Sequence, residues 1–346
     1  MTPHIGASRT ATTERRTSGG SAAAGAPRTD ATSAPASFTF DGVTSVEEVQ
    51  PINPNATKQA RNLLSYLAGQ YGHRILSGQQ ESTWTGGPEY EMDYIFENTG
   101  KYPAIRGLDY GDSKDFSSRA IEWWDAGGIP MVGWHLGAPT KEETYAGTQM
   151  SVSIDNVLTP GTAEHASFIQ RLDGAAAQLQ KLDDAGVAVI WRPLHEAGGS
   201  WFWWSMEGGA QYQRLWKFEY DYLTNTKGLN NLIWLFGLNG CPDPSFSPGK
   251  AYYDVIGADT YAGDGNDDPL LSLYSSVKSI DSSTPIALHE NGPIPDPDRM
   301  QSSGARWLLF ATWHGAHLTQ SNSVDHLRSV YNHSYVVTRD EVPNLR

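Results

Sequence analysis

The chain has 346 residues and a formal net charge of −14. That acidity leaves no basic footprint for a phosphate backbone, so nucleic acid is excluded as a partner and a neutral substrate fits best. A lone cysteine, Cys241, rules out an intrachain disulfide and a cysteine-based metal site, and no run of about 18 apolar residues marks a membrane span.

Residues 1–37 are rich in Ala, Ser, Thr, Gly and Arg and hold almost no large apolar side chain. Such a segment cannot offset its ordering entropy and is expected to be a disordered linker or leader. It lacks the apolar stretch of a signal peptide. Its composition resembles the linkers of secreted multi-modular enzymes, which makes a secreted, extracellular protein the expectation. The remainder, 38–346, reads as one domain.

Short apolar runs then alternate with helical patterns. The strand candidates are Arg74–Ser77, Ala104–Leu108, Ile129–Trp134, Val187–Arg192, Leu232–Phe236, Val255–Ala258, Pro285–His289 and Leu308–Thr312. Brief apolar runs suit parallel strands covered on both faces. The clearest helix is 163–185, where Phe168, Leu172, Ala175, Leu179 and Leu182 recur every three or four residues, and Gly186 stands where a helix ends. Further helices are expected near 57–70, 89–99, 118–126, 209–226, 269–281 and 322–332. Only a short helix fits between the fifth and sixth strands. Eight strands alternating with helices over about 300 residues predict an α/β fold, a (β/α)8 TIM barrel. A doubly wound sheet is the main alternative, but the Gly-rich fingerprint after its first strand is missing.

In such a barrel the functional residues lie at the C-terminal ends of strands. The fourth run leads into Trp191-Arg-Pro-Leu-His-Glu196, then a Gly-rich loop and Trp201-Phe-Trp-Trp204. A carboxyl desolvated beside aromatic rings has its pKa raised, as a general acid requires. The plain alternative is an ion pair between Glu196 and Arg192. The seventh run leads into Ile286-Ala-Leu-His-Glu290, the matching place on another strand. Two carboxylates facing one barrel mouth are the equipment of glycoside hydrolysis. The 12 Trp and 16 Tyr supply flat faces suited to sugar rings, although many of them must serve packing.

The segment Trp191-Arg-Pro-Leu-His-Glu-Ala-Gly-Gly-Ser-Trp-Phe-Trp-Trp204 resembles the acid/base motif of glycoside hydrolase family 26, and Ala287-Leu-His-Glu-Asn-Gly292 resembles its nucleophile motif. Ser77-Gly-Gln-Gln80, Gly133-Trp-His135, Asp259-Thr-Tyr261 and Thr312-Trp-His314 match in kind and order. The resemblance covers roughly residues 50–335. It implies a retaining endo-β-1,4-mannanase acting on mannan, galactomannan or glucomannan, with mixed-linkage β-glucan or β-1,3-xylan as the alternative substrate and a non-catalytic carbohydrate-binding barrel as the alternative class. Glu196 would be the acid/base and Glu290 the nucleophile, with the carboxyls about 5–5.5 Å apart. The resemblance also implies that the Tyr261 hydroxyl bonds the nucleophile.

His195 is expected to orient a sugar hydroxyl or Glu290, and Trp313 to form the floor under the sugar at the cleavage point. Trp134 and His135 are expected to line the non-reducing side, and Trp201 to stack on the leaving group. Arg106 is expected to pair with Asp109 or Asp112, and Phe202, Trp203 and Trp204 to be partly core. No cofactor or metal is implied: His195-Glu196 is not a zinc motif, because position 199 is Gly, and Asp264-Gly-Asn-Asp-Asp268 lacks a calcium-loop pattern. The expected partner is a polysaccharide, met by a monomer.

Overall fold

A computed structural model describes residues 49–346, together with the backbone of two short antiparallel strands, Ser37–Phe38 and Val46–Glu47. Apart from the backbone of Ser37, the expected disordered segment 1–37 lies outside the described residues.

Eight parallel strands close into a barrel: β1 (Gly78–Gln80), β2 (Ile105–Asp109), β3 (Ile129–Gly133), β4 (Val189–Arg192), β5 (Leu232–Leu238), β6 (Val255–Thr260), β7 (Ile286–Asn291) and β8 (Phe310–Thr312). Each pairs with its sequence neighbours, and β8 returns to β1 through Thr312 and Gln79. This is the (β/α)8 architecture that the alternating runs predict.

The principal helices are α1 (Lys58–Gln70), α2 (Tyr90–Thr99), α3 (Ser117–Asp125), α4 (Ala163–Asp184), α5 (Gly209–Tyr220), α6 (Leu271–Ile280), α7 (Pro297–Ser303) and α8 (Val324–Tyr331). Thr57 and Thr162 cap α1 and α4 by accepting backbone N–H bonds from Ala60 and His165. The stripe on α4 is buried as its spacing requires, each large side chain contributing roughly 1.5–3 kcal/mol.

Three departures from the sequence reading matter. The run Arg74–Ser77 is not the first barrel strand: Ile75–Leu76 pairs with Val336–Val337 outside the barrel, and the polar Gly78–Gln80 takes the barrel position. Between β7 and β8 stands α7, a helix the periodicity does not announce. The helix expected over 209–226 is α-helical only to Tyr220 and continues as a π-helical turn, Asp221–Thr226.

The pairing of β7 is irregular on both sides. Leu288 and Glu290 face the consecutive residues Ala258 and Asp259 of β6, and Leu288 and Asn291 face Phe310 and Thr312 of β8. One extra residue therefore sits in β7 at His289–Glu290, a bulge that re-aims the side chains at the barrel mouth.

Candidate active site

Glu290 lies inside the mouth, almost fully buried. Arg192, at the end of β4, donates from Nη1 to Glu290 Oε2 at 2.9 Å. The Tyr261 hydroxyl, one residue past β6, donates to Glu290 Oε1. Both carboxylate oxygens are thus held by donors from different strands. Burial, followed by the Glu290 charge, pushes the Tyr261 phenol far upward, so it remains a hydrogen-bond donor. Arg192 is itself buried and pairs with Glu290, not with Glu196. The ion pair weighed as a structural explanation for Glu196 does not form.

Glu196 stands four residues beyond β4, with a left-handed φ of 56°, and Leu194 has a φ of 44°. Non-glycine residues in this region are strained and are held there by their surroundings. Here the next residue supplies the hold: Ala197 N–H donates to the Gly237 carbonyl at 2.9 Å, and Asn239 N–H donates to the Ala197 carbonyl at 3.1 Å. The carboxyl is 8% exposed and accepts a bond from Trp201 Nε1. Burial, and then the charge of Glu290, push its pKa up to about 7, while the Trp201 bond offsets part of the rise. A carboxyl protonated near neutrality facing a carboxylate clamped by Arg192 and Tyr261 can supply one proton and one nucleophile to the same bond.

A third carboxyl, Asp259 at the end of β6, is buried beside them. Burial and the charges of Glu196 and Glu290 hold its pKa well above the carboxylate range. In the sequence this residue opens Asp259-Thr-Tyr261, where only Tyr261 carries an expected role. Its signal was an acidic residue closing an apolar strand, the same signal that marks Glu290.

A second cluster lies alongside. His135 Nδ1 donates to Asp109 Oδ2 at 2.5 Å, and its backbone N–H donates to Oδ1 at 3.1 Å. Burial acts to lower the His135 pKa, but Asp109 outweighs it and the balance is upward. Asp109 is lowered to about 2, because the pull of His135 outweighs burial. His195 is driven well below the histidine range by burial and Arg192. The two rings meet through their Nε2 atoms, which lie 3.3 Å apart in hydrogen-bond contact. His195 is fully buried and bonds His135, with no bond to Glu290.

A cavity of about 500 Å³ opens past this cluster, bounded among others by Asp109, His135, Tyr145, Trp313, His314 and Trp84. Trp313 is fixed by backbone bonds to Asn291 (2.8 Å) and from Gln79 Nε2 (3.3 Å). Trp84, Tyr145 and His314 were not singled out as wall residues by the sequence. Loop residues carry no periodic signal.

Trp201 is 41% exposed and Tyr261 is 39% exposed, both at the mouth. Trp134 is not on the wall. It is 1% exposed and packs against Tyr110 and Trp191. The reason is strand alternation: His135 faces the mouth, so Trp134 turns outward with Trp191, whose Nε1 reaches Glu219 of α5. Phe202, Trp203 and Trp204 are all buried. Arg106 pairs with Glu81 and Glu89, and not with either aspartate; Asp112 instead accepts two bonds from Thr83. Among the described residues no group of three or more His, Cys, Asp or Glu is placed to hold a metal ion, and no helix is long and apolar enough to cross a membrane.

Comparison with known proteins gives the same constellation a context. The model of "Glycosyl hydrolase family 26" matches residues 52–341. A mannan endo-1,4-beta-mannosidase of Thermothelomyces thermophilus is 35% identical over 314 residues, covering 84% of this chain and 62% of its own length. One from Bacillus subtilis is 31% identical, covering 87% of this chain and 91% of its own. Among solved structures, a beta-mannanase from a symbiotic protist of the termite Reticulitermes speratus, complexed with gluco-manno-oligosaccharide, superimposes with a TM-score of 0.78 at 32% identity, covering 85% of this chain and 98% of that one. The Podospora anserina GH26-CBM35 beta-(1,4)-mannanase gives 0.77 at 34% identity, covering 85% of this chain and 68% of that one. The chain spans between half and two thirds of the length of the Thermothelomyces and Piromyces relatives.

Proposed function

The chain belongs to glycosyl hydrolase family 26, and from that membership we propose that it cleaves internal β-1,4-mannosidic linkages by double displacement with retention. The observation that carries this reading is the contrast between the two glutamates. Glu290 has both oxygens held by Arg192 and Tyr261, whereas Glu196 is buried and carries a pKa of about 7.

In the first step a Glu290 oxygen attacks the anomeric carbon as Glu196 gives its proton to the departing glycosidic oxygen. The glycosidic C–O bond breaks and a glycosyl-enzyme ester forms. In the second, Glu196, now a carboxylate, takes a proton from water, whose oxygen displaces Glu290 and restores both side chains. Trp201, exposed beside Glu196, stacks on the leaving sugar. His135 and Trp313 hold sugars on the opposite side, and buried His195 acts by orienting His135. Mannan, galactomannan and glucomannan are the substrates this reading names, supported by the relatives' mannan endo-1,4-beta-mannosidase activity. A polymer of that size is met outside the cell, so the same reading makes the protein extracellular.

The test incubates the protein with mannan, mixed-linkage β-1,3-1,4-glucan and β-1,3-xylan, resolves products by size and follows the first anomer by NMR. Oligosaccharides of mixed length from mannan, released as the β-anomer, are expected. Preference for another glycan, or initial α-anomer, overturns the proposal.

A further inference from the structure

Beside Glu290, read as the nucleophile, stands a residue to which the proposed reaction gives no role. His289 is fully buried and precedes Glu290 within the β7 bulge. In a regular strand the two side chains would point to opposite faces. Here both meet the same guanidinium: Arg192 Nη1 donates to His289 Nδ1 at 3.2 Å and to Glu290 Oε2 at 2.9 Å. The other ring nitrogen, Nε2, lies 3.0 Å from the Leu238 carbonyl oxygen.

Only one arrangement of protons satisfies these contacts. A guanidinium has donors and no acceptor, so Nδ1 must be the acceptor and the proton must sit on Nε2, donated to Leu238. A second proton would set an N–H against the N–H of Arg192. Burial and Arg192 together lower the His289 pKa to about 3, in keeping with a ring that stays neutral. The ring has no freedom to turn. A Cβ at Gly237 would lie 2.6 Å from Nε2, and one at Gly133 would lie 3.1 Å from Arg192 Nη2, so glycines on β5 and β3 make room for the pair.

We propose that His289 is a positioning residue for the nucleophile: as a neutral ring of one tautomer it fixes the Arg192 guanidinium, and through it the aim of Glu290. This rests on the reading of Glu290 as nucleophile. Without the acceptor at Nδ1, Arg192 keeps its charge but loses one of the two contacts that set its plane. The carboxylate then spends part of its time turned from the anomeric carbon, and small misplacements of this kind cost rate far more than binding.

The test compares His289→Leu, which fills similar space without an acceptor, with His289→Asn, whose Oδ1 stands near the place of Nδ1. Substrate is whichever β-glycan or aryl β-glycoside the wild type hydrolyses, so failure on mannan alone counts against the substrate proposal and not against this one. Covalent trapping of Glu290 by a 2-deoxy-2-fluoro glycoside is followed in parallel, and no labelling of wild-type Glu290 would fail the nucleophile reading itself. With folding checked by circular dichroism and melting, His289→Leu is expected to lower kcat and the trapping rate by about tenfold to a hundredfold with KM little changed. His289→Asn is expected to recover most of both. Should the leucine variant not fold, His289→Met takes its place. Equal rates in the acceptor-bearing and acceptor-free variants, or a loss carried by KM alone, overturn the proposal.

Discussion

At the scale of single residues, the bond from Trp201 Nε1 to Glu196 Oε2 favours the charged carboxylate and so offsets part of the rise in its pKa. Trp201→Phe keeps a stacking face and removes the donor. The pKa of Glu196 should then rise, and because the proposed first step needs its protonated form, the alkaline limb of kcat/KM should move to higher pH, with the rate at pH 6 kept within about tenfold. An unchanged or lowered alkaline limb would contradict this. Both glutamates were legible in the sequence, because each is an acidic residue closing an apolar run. What the sequence withheld is who holds them. Arg192 was equally available to either carboxyl, and only the β7 bulge and the strained backbone at Glu196 decide that it goes to Glu290. Trp134 was misassigned because adjacency in sequence to His135 means opposite faces in a strand.

At the scale of elements, the spacing of β6 and β7 sets the distance from Tyr261 to Glu290. Gly257 on β6 stands against the backbone carbonyl of Ala287 on β7, leaving no room for a Cβ. Gly257→Ala should therefore push the strands apart, cost about 1–3 kcal/mol of stability, and reduce kcat more than tenfold. Thermal melting and steady-state kinetics check both, and wild-type values would refute it. Most elements were readable from short apolar runs and 3.6-residue stripes. The first barrel strand was not: Gly78-Gln79-Gln80 is polar, and its glutamines spend their amides on backbone carbonyls inside the mouth. The apolar pair Ile75–Leu76 drew attention away from it. The seven-residue α7 begins with Pro297 and carries no apolar stripe, so only its Asp296 cap could have announced it.

At the scale of the whole molecule, pH acts through a buried carboxyl remote from the cleft. Glu219 of α5 is fully buried, with Trp191 Nε1 at 3.3 Å, and burial lifts its pKa to about 8. The folded state thus holds this proton more tightly than the unfolded chain. Its contribution to stability is full below the unfolded value near 4.5 and is lost as pH rises towards 8. Glu219→Gln should remove that dependence and raise stability above pH 7 by on the order of 1–2 kcal/mol, read as a higher melting temperature, with little gain at pH 5. An equal gain at both values would contradict it. Activity should also fall through about pH 7 as Glu196 loses its proton. The lead-in to β1 has a different consequence. Ser77 Oγ bonds the Val337 carbonyl at 2.6 Å, 260 positions away, and Ile75–Leu76 pairs with Val336–Val337. During synthesis on the ribosome this lead-in must wait for a partner made 260 residues later. Until then β1 stands at an open sheet edge, exposed to neighbouring nascent chains, so folding yield should depend on chaperones and on the pace of elongation more than the stability of the finished barrel suggests.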